Sequence, residues 1–252
     1  MNKNDYIAVF DSGVGGISVL RHLVRVLPSE RFLYFGDSAN APYGTRTKEE
    51  VKQLTFAAAE MLMEQGIKAL VVACNTATSA AIKDLRDAYP ERIIIGIEPA
   101  LKLAADKFPG GHLGVMATPM TLREEKFAKL MERFNESCEI YKIPAPGLVE
   151  LIESGKADSP QAEALLKALF APCPDLDALV LGCTHYPFAK KAISRVLGEK
   201  TALLDGGDGT ARETKRRLET AGLLRSGQGE VKITNSANSK ELIALCRKLL
   251  EE

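Results

Sequence analysis

The sequence predicts an α/β protein made of two similar, pseudo-symmetric α/β domains with largely parallel sheets. Short apolar runs rich in β-branched residues alternate with longer amphipathic segments, the pattern of strands and helices in a parallel sheet. One run, Ala69-Leu-Val-Val-Ala-Cys74, is echoed by Ala178-Leu-Val-Leu-Gly-Cys183, 109 residues on (74 to 183). Upstream, Ile7-Ala-Val-Phe-Asp-Ser12 corresponds to Leu113-Gly-Val-Met-Ala-Thr118 at an offset of 106 (7 to 113). Buried parallel strands share such composition by chance, so it is the near-constant offset that favours a duplication. On this reading one domain spans 1–97 and takes back 205–252, and the other spans 98–204.

In chain order, the apolar runs predict strands at Tyr6–Phe10, Arg31–Phe35, Lys68–Ala73, Arg92–Ile97, His112–Met116, Glu139–Ile143, Ala178–Gly182, Thr201–Leu204 and Val231–Thr234. The segments between them predict helices over Ile17–Leu27, Lys48–Gln65, Thr76–Asp87, Pro99–Lys107, Thr121–Phe134, Pro160–Leu169, Pro187–Leu197, Thr210–Ala221 and Lys240–Leu250. Thr47 before Lys-Glu-Glu places an acceptor at an N-cap and acids in the first turn. Gly66 ends that helix, where a left-handed residue is cheapest as glycine. Ser239 starts the last helix in the same way.

The 252 residues are 46% hydrophobic and 26% charged, enough to build a core without disulfide or metal staples. Lys plus Arg and Asp plus Glu are 33 each, so no net basic charge points to nucleic acid. No apolar stretch approaches the roughly 18 residues of a membrane span, and the N-terminus carries no signal-peptide pattern. Five cysteines, sparse and odd in number, do not make a disulfide framework. These features lead to the expectation of a soluble, cytoplasmic enzyme or binding protein with neither a nucleic-acid nor a membrane partner.

Both repeated strands end in a cysteine followed by small polar residues and a helix: Cys74-Asn75-Thr76 and Cys183-Thr184-His185-Tyr186-Pro187. Ligands of parallel sheets gather beyond the carboxyl ends of strands, and a helix N-terminus there favours a thiolate. A lone cysteine is more often a small buried hydrophobe; two at equivalent strand ends point to chemistry. Cys138, Cys173 and Cys246 have no such setting. The first strand runs into Asp11-Ser12-Gly13-Val14-Gly15-Gly16, where glycines either admit an anion to backbone amides or meet a turn's demand for positive φ. It matches neither the dinucleotide nor the Walker pattern. Asp37 opens a loop, Gly36-Asp-Ser-Ala-Asn-Ala-Pro42-Tyr43-Gly44, at the same sheet end. Glu150 follows a strand of the second domain. Cys183 and His185 lack a second pair at metal spacing, so no metal site is expected.

Jointly, Asp11-Ser-Gly-Val-Gly-Gly16, Pro42-Tyr43-Gly44, Ala73-Cys74-Asn75-Thr76 and Leu181-Gly-Cys183-Thr184-His185-Tyr-Pro187 resemble the bacterial glutamate racemases of the aspartate/glutamate racemase family. The similarity runs from about Tyr6 to the final helix. One departure is Leu204-Asp205-Gly206-Gly207, where the family more often has serine after the aspartate. The resemblance implies cofactor-independent, two-base racemisation of glutamate in a cleft between the two domains, supplying D-glutamate for peptidoglycan. It implies that Cys74 takes the α-proton of D-glutamate and Cys183 acts on L-glutamate. Asp11 would assist Cys74, Glu150 and His185 would assist Cys183, and Asp37 is a further catalytic candidate. Ser12, Pro42, Tyr43, Gly44, Asn75, Thr76, Thr118, Thr121 and Thr184, with Asp11 and His185, map to substrate-holding positions. No cofactor is implied, and a homodimer is left open. A racemase of another amino acid such as aspartate, or a non-catalytic amino-acid-binding regulator, are the alternative readings.

Overall fold

The computed structural model describes residues 1–134 and 136–251. The elements run β1 (Ile7–Asp11), α1 (Ile17–Val26), β2 (Arg31–Gly36), α2 (Lys48–Glu64), β3 (Ala69–Val72), α3 (Asn75–Ala88), β4 (Ile94–Gly96), α4 (Leu101–Lys107) and β5 (His112–Ala117). They continue through α5 (Pro119–Arg123), α6 (Glu125–Glu132), β6 (Glu139–Pro144), α7 (Leu148–Glu153), α8 (Pro160–Phe170), β7 (Ala178–Gly182), α9 (Lys190–Leu197) and β8 (Ala202–Asp205). The chain ends with α10 (Gly207–Thr220), β9 (Glu230–Asn235) and α11 (Lys240–Glu251). It divides into two compact units, one of Met1–Glu98 with Gly207–Glu252 and one of Pro99–Gly206.

The first unit holds a five-stranded sheet in the order β4-β3-β1-β2-β9, and the second a four-stranded sheet in the order β6-β5-β7-β8. The strand pairs are parallel in both. Read from the other edge, the second is β8-β7-β5-β6, the same arrangement as β4-β3-β1-β2. The repeated sequence segments hold the same register as well. Ile7 faces Ala69 and Val9 faces Val71, while Leu113 faces Ala178 and Val115 faces Val180. Their carboxyl ends therefore deliver Cys74 and Cys183 to equivalent places, each in its own sheet.

Helices on both faces explain why these strands are continuously apolar. In the second unit, Leu113, Val115 and Val180 pack with Leu101 and Ala104 of α4. The alternate residues Met116, Leu179 and Leu181 pack with Leu148 of α7, Leu166 of α8 and Ile193 of α9. Side chains alternate across a strand, so both sets are buried at once. Each such Leu or Ile side chain is worth roughly 1.5–3 kcal/mol of burial.

The helix starts and stops follow local chemistry. Thr47 accepts the Glu50 amide while Glu50 accepts the Thr47 amide, a complete capping box on α2. Gly66 follows at φ +74°, and the Ser239 hydroxyl accepts the Leu242 amide at the start of α11. Three segments differ from expectation. The single helix read over 121–134 is two, because Thr118 caps α5 from Pro119 and Glu124 then turns extended (φ −66°, ψ 133°) before α6. The segment from Pro187 opens as a 3₁₀ turn, Tyr186–Ala189, and becomes α-helix at Lys190. The six-residue α7, which follows Gly147 at φ +83°, was not read from the sequence.

At the opposite end of the first sheet from Cys74 lies a fully buried ion pair. Lys68 Nζ sits 2.5 Å from Glu30 Oε2, with side chains 0% and 1% exposed. The ammonium also donates to the Lys3 and Leu223 carbonyls, at 2.6 and 3.0 Å. The second Glu30 oxygen accepts the Arg225 amide at 2.9 Å. Both charges are thus satisfied by hydrogen bonds, the condition for tolerating a pair in a low-dielectric interior. Removing one partner would cost about 3–5 kcal/mol. Among the described residues no helix is long and apolar enough to cross a membrane.

Candidate active site

In the first unit, Asp11 closes β1 and is wholly buried. Its Oδ2 accepts the Gly13 amide at 3.0 Å, and the Tyr34 hydroxyl donates to the Gly13 carbonyl at 2.7 Å. The Asp11–Gly16 loop therefore wraps the carboxylate. Its glycines do not meet a demand for positive φ. At Gly16, φ is −61°, and a Cβ would lie 2.5 Å from Asp11 Cβ, so only glycine admits the aspartate.

Cys74 is the N-cap of the fourteen-residue α3, its backbone extended (φ −66°, ψ 121°). Its Sγ accepts the Ala77 amide at 3.4 Å and lies 3.5 Å from Ser12 Oγ. A free amide at a helix N-terminus stabilises the sulfur as an anion. Asn75 and Thr76 form the first turn of α3, both buried. Asn75 Nδ2 is buried without a hydrogen-bond partner. Such a donor costs roughly 1–3 kcal/mol unless something accepts from it, which marks a place for an oxygen.

Asp37, also buried, begins the loop after β2. The Tyr43 hydroxyl donates to Oδ2 at 2.6 Å, and Asn40 Nδ2 donates to both oxygens at 3.0 and 3.1 Å. Burial, foremost, pushes the Tyr43 phenol far above its usual 10, helped by the hydrogen bond to Asp37 and by the charges of Asp37, Cys74 and Asp11. Tyr43 therefore stays a neutral donor beside those acids. Pro42 and Gly44 flank it in the same turn.

In the second unit, Cys183 Sγ lies 3.8 Å from His185 Nδ1, and His185 Nε2 lies 2.8 Å from Glu153 Oε1. The three side chains make a thiol–imidazole–carboxylate series. The carboxylate favours the tautomer with its proton on Nε2, leaving Nδ1 to take the thiol's proton. The carboxylate that α7 brings to His185 is thus Glu153, whereas the sequence pointed to Glu150. Glu150 stands exposed in the first turn of α7. Its charge, after burial and that of Cys183, raises the Tyr186 phenol. Thr184 is buried beside Cys183 in sequence. Thr118 Oγ1 accepts the Thr121 amide at 3.2 Å, and the two hydroxyls are 2.9 Å apart.

The motifs point to Glu150 and not to Glu153, and the helical period of α7 separates the two. With about 100° per residue, Leu148 and Ile152 share the buried face. Glu150 then points about 200° from Leu148, outward, while Glu153 flanks Ile152. All five cysteines are free thiols. Cys138 donates to the Phe108 carbonyl, and burial pushes the Cys173 thiol up. Among the described residues, no group of three or more His, Cys, Asp or Glu side chains is placed to hold a metal ion.

Two parallel sheets of one strand order thus each present a thiol at the same register position, an α/β architecture with a repeated half-site. The chain belongs to the Asp/Glu/Hydantoin racemase family, whose model matches residues 7–214. It is 54% identical to a glutamate racemase of Clostridium kluyveri over 251 residues, covering 98% of this chain and 97% of the relative. Its fold is that of the Thermus thermophilus glutamate racemase solved with β-chloro-D-alanine (TM-score 0.86, 38% identity, covering 100% of this chain and 95% of that one). It also matches the Francisella tularensis glutamate racemase solved with D-glutamate (TM-score 0.87, 27% identity, covering 99% and 95%). The expected fold class and the resemblance to glutamate racemases are both borne out.

Proposed function

We propose that the protein interconverts L- and D-glutamate through two thiols working on opposite faces of the α-carbon. The carrying observation is the equivalence of Cys74 and Cys183 in strand register, each with its own means of handling a proton, in a chain half identical to a glutamate racemase. From L-glutamate, the Cys183 thiolate takes the α-proton, its sulfur–hydrogen bond forming as the carbon–hydrogen bond breaks. The electron pair stays on carbon as a planar carbanion. The Cys74 thiol then delivers its proton to the other face, which gives D-glutamate and leaves a Cys74 thiolate. The reverse reaction starts from that thiolate. His185, held by Glu153, takes and returns the Cys183 proton. The α3 amide and Ser12 support the sulfur of Cys74. Substrate oxygens find donors in Asn75 Nδ2 and the helix-start amides, fixed dipoles that need no mobile charge. The D-glutamate would enter peptidoglycan synthesis in the cytoplasm.

Solvent isotope tests the mechanism. Converting L-glutamate in heavy water and sampling early should give D product deuterated at the α-carbon and residual substrate still protiated. Starting from D-glutamate should give the mirror result. Early recovered substrate as deuterated as product would mean a single shared base, and the two-thiol reading would fall. Running aspartate in parallel reports the substrate class.

A further inference from the structure

We propose that Ser236, on the turn between β9 and α11, is a positioning residue for the Asp37–Gly44 loop, and through it for Tyr43 beside Cys74. This rests on the glutamate-racemising reading above and adds a residue to it. The family match ends at residue 214, so β9, α11 and their turn lie beyond it.

The geometry runs from the sheet edge inward. β9 pairs along β2 from Glu230 opposite Arg31 to Asn235 opposite Gly36. One residue past that ladder, the Ser236 amide donates to the Gly36 carbonyl at 3.0 Å. This holds the serine at the point where the chain leaves β2 for the loop. Its hydroxyl oxygen accepts the Ala39 amide at 2.9 Å. The neighbouring amides turn elsewhere, Asp37 to the Asp11 carbonyl at 2.8 Å and Asn40 to the Asp37 carbonyl at 3.0 Å. On the far side, Arg46 Nε donates to the Asn40 carbonyl at 2.9 Å. The loop is thus pinned from β1, from Arg46 and from the C-terminal segment. Those pins fix the backbone from which Asn40 and Tyr43 reach the Asp37 carboxylate.

The turn carrying Ser236 is itself rigid. The buried Asn235 side chain donates to the Ser239 carbonyl and accepts the Ser239 amide, at 3.0 and 3.1 Å. Asn238 takes the left-handed conformation at φ +50°, and its amide closes on the Asn235 carbonyl at 3.2 Å. Covering an open sheet edge would explain β9 as far as residue 235. It does not explain a side-chain bond beyond the ladder to an amide of the loop.

The test uses Ser236→Ala and Ser236→Thr in the full chain, the second keeping the hydroxyl. Backbone amide exchange over residues 37–44 and steady-state racemisation of glutamate are measured for each. Ser236→Ala should speed exchange in the loop several-fold and lower kcat/KM roughly fivefold, the weight of one hydrogen bond. Ser236→Thr should restore both to within about twofold of the parent. Parent-like exchange in the alanine variant overturns the proposal, and so does a loosened loop with unchanged kcat/KM. A parent that leaves glutamate unracemised fails the functional reading instead, and the exchange data alone then decide whether Ser236 orders the loop.

Discussion

The two units share a strand order and a register, yet they serve their thiols by different means. Cys74 sits directly on the first turn of a fourteen-residue helix and draws on a backbone amide and a serine hydroxyl. Cys183 is followed by a proline-containing 3₁₀ turn and leans on His185 and Glu153. The difference begins at one strand position. β1 ends in Asp11, whereas β5, at the equivalent place, ends in Ala117. The second unit brings its carboxylate from α7 and extends its reach with an imidazole. A common sheet therefore supplies only the location of the sulfur, and the chemistry of each half is built locally. Around Cys74 the neighbours are a backbone amide and a hydroxyl, and around Cys183 an imidazole backed by a carboxylate.

The sharpest way to break this comparison is to remove each sulfur. Cys74→Ala and Cys183→Ala should each lower racemisation in both directions by at least about 10³-fold, within the range of a positioned acid–base group. Circular dichroism of the glutamate pool reads this directly, and near-parent turnover by either variant would undo the equivalence. Next in size is the carboxylate of the second half. Glu153→Gln should reduce turnover by at least about tenfold, less than the roughly 10²-fold to 10⁴-fold supplied by a proton-transferring group itself. Glu150→Gln should do less. Enantiomers have equal free energy, so kcat/KM must fall equally in both directions. The asymmetry should show instead as a larger α-deuterium isotope effect when L-glutamate is the substrate. A greater loss in Glu150→Gln would return the role to the residue the sequence suggested.

The smallest effect concerns pH, and here the two units should behave alike. Burial raises Tyr43 in one and Tyr186 in the other above the ordinary value of 10. Below pH 10, both folded and unfolded phenols keep their protons, and the stabilisation is complete. As pH rises past 10 the unfolded phenols ionise first, so stability declines towards the raised folded values. Tyr43→Phe and Tyr186→Phe should each flatten that decline in urea unfolding between about pH 9 and 11. Tyr43→Phe should also cost roughly 1–3 kcal/mol at neutral pH, because the buried Asp37 loses a donor. An alkaline decline unchanged in both variants would place its origin elsewhere.

The sheets were legible because buried parallel strands leave long apolar runs, and the repeat at 109 residues mirrors a shared register. The thiols were legible because each follows such a run. What was hidden depended on short or tertiary features. Six residues of α7 hold too few turns for periodicity to declare a helix, and only with that helix in hand do Leu148 and Ile152 separate Glu153 from Glu150. The break at Glu124 lies in a sequence whose local preferences favour continuing the helix. Ser236 gave no sign, since its partner Ala39 is almost two hundred residues away and the contact is made only through a sheet edge.

The buried Lys68–Glu30 pair has a consequence for the order in which the chain is made. Two of its hydrogen-bonding partners, the Leu223 carbonyl and the Arg225 amide, lie well beyond the second unit in sequence. A ribosome that has delivered residues 1–206 has synthesised all of Pro99–Gly206, but only part of the unit that began first. Until the last segment emerges, that ammonium lacks one of its carbonyls, that carboxylate lacks its amide, and β2 lacks its edge partner. Domains tend to fold as they emerge from the ribosome, and here the residues of Pro99–Gly206 are all present before those of the other unit. The unit whose residues come first from the ribosome is the last that can be completed.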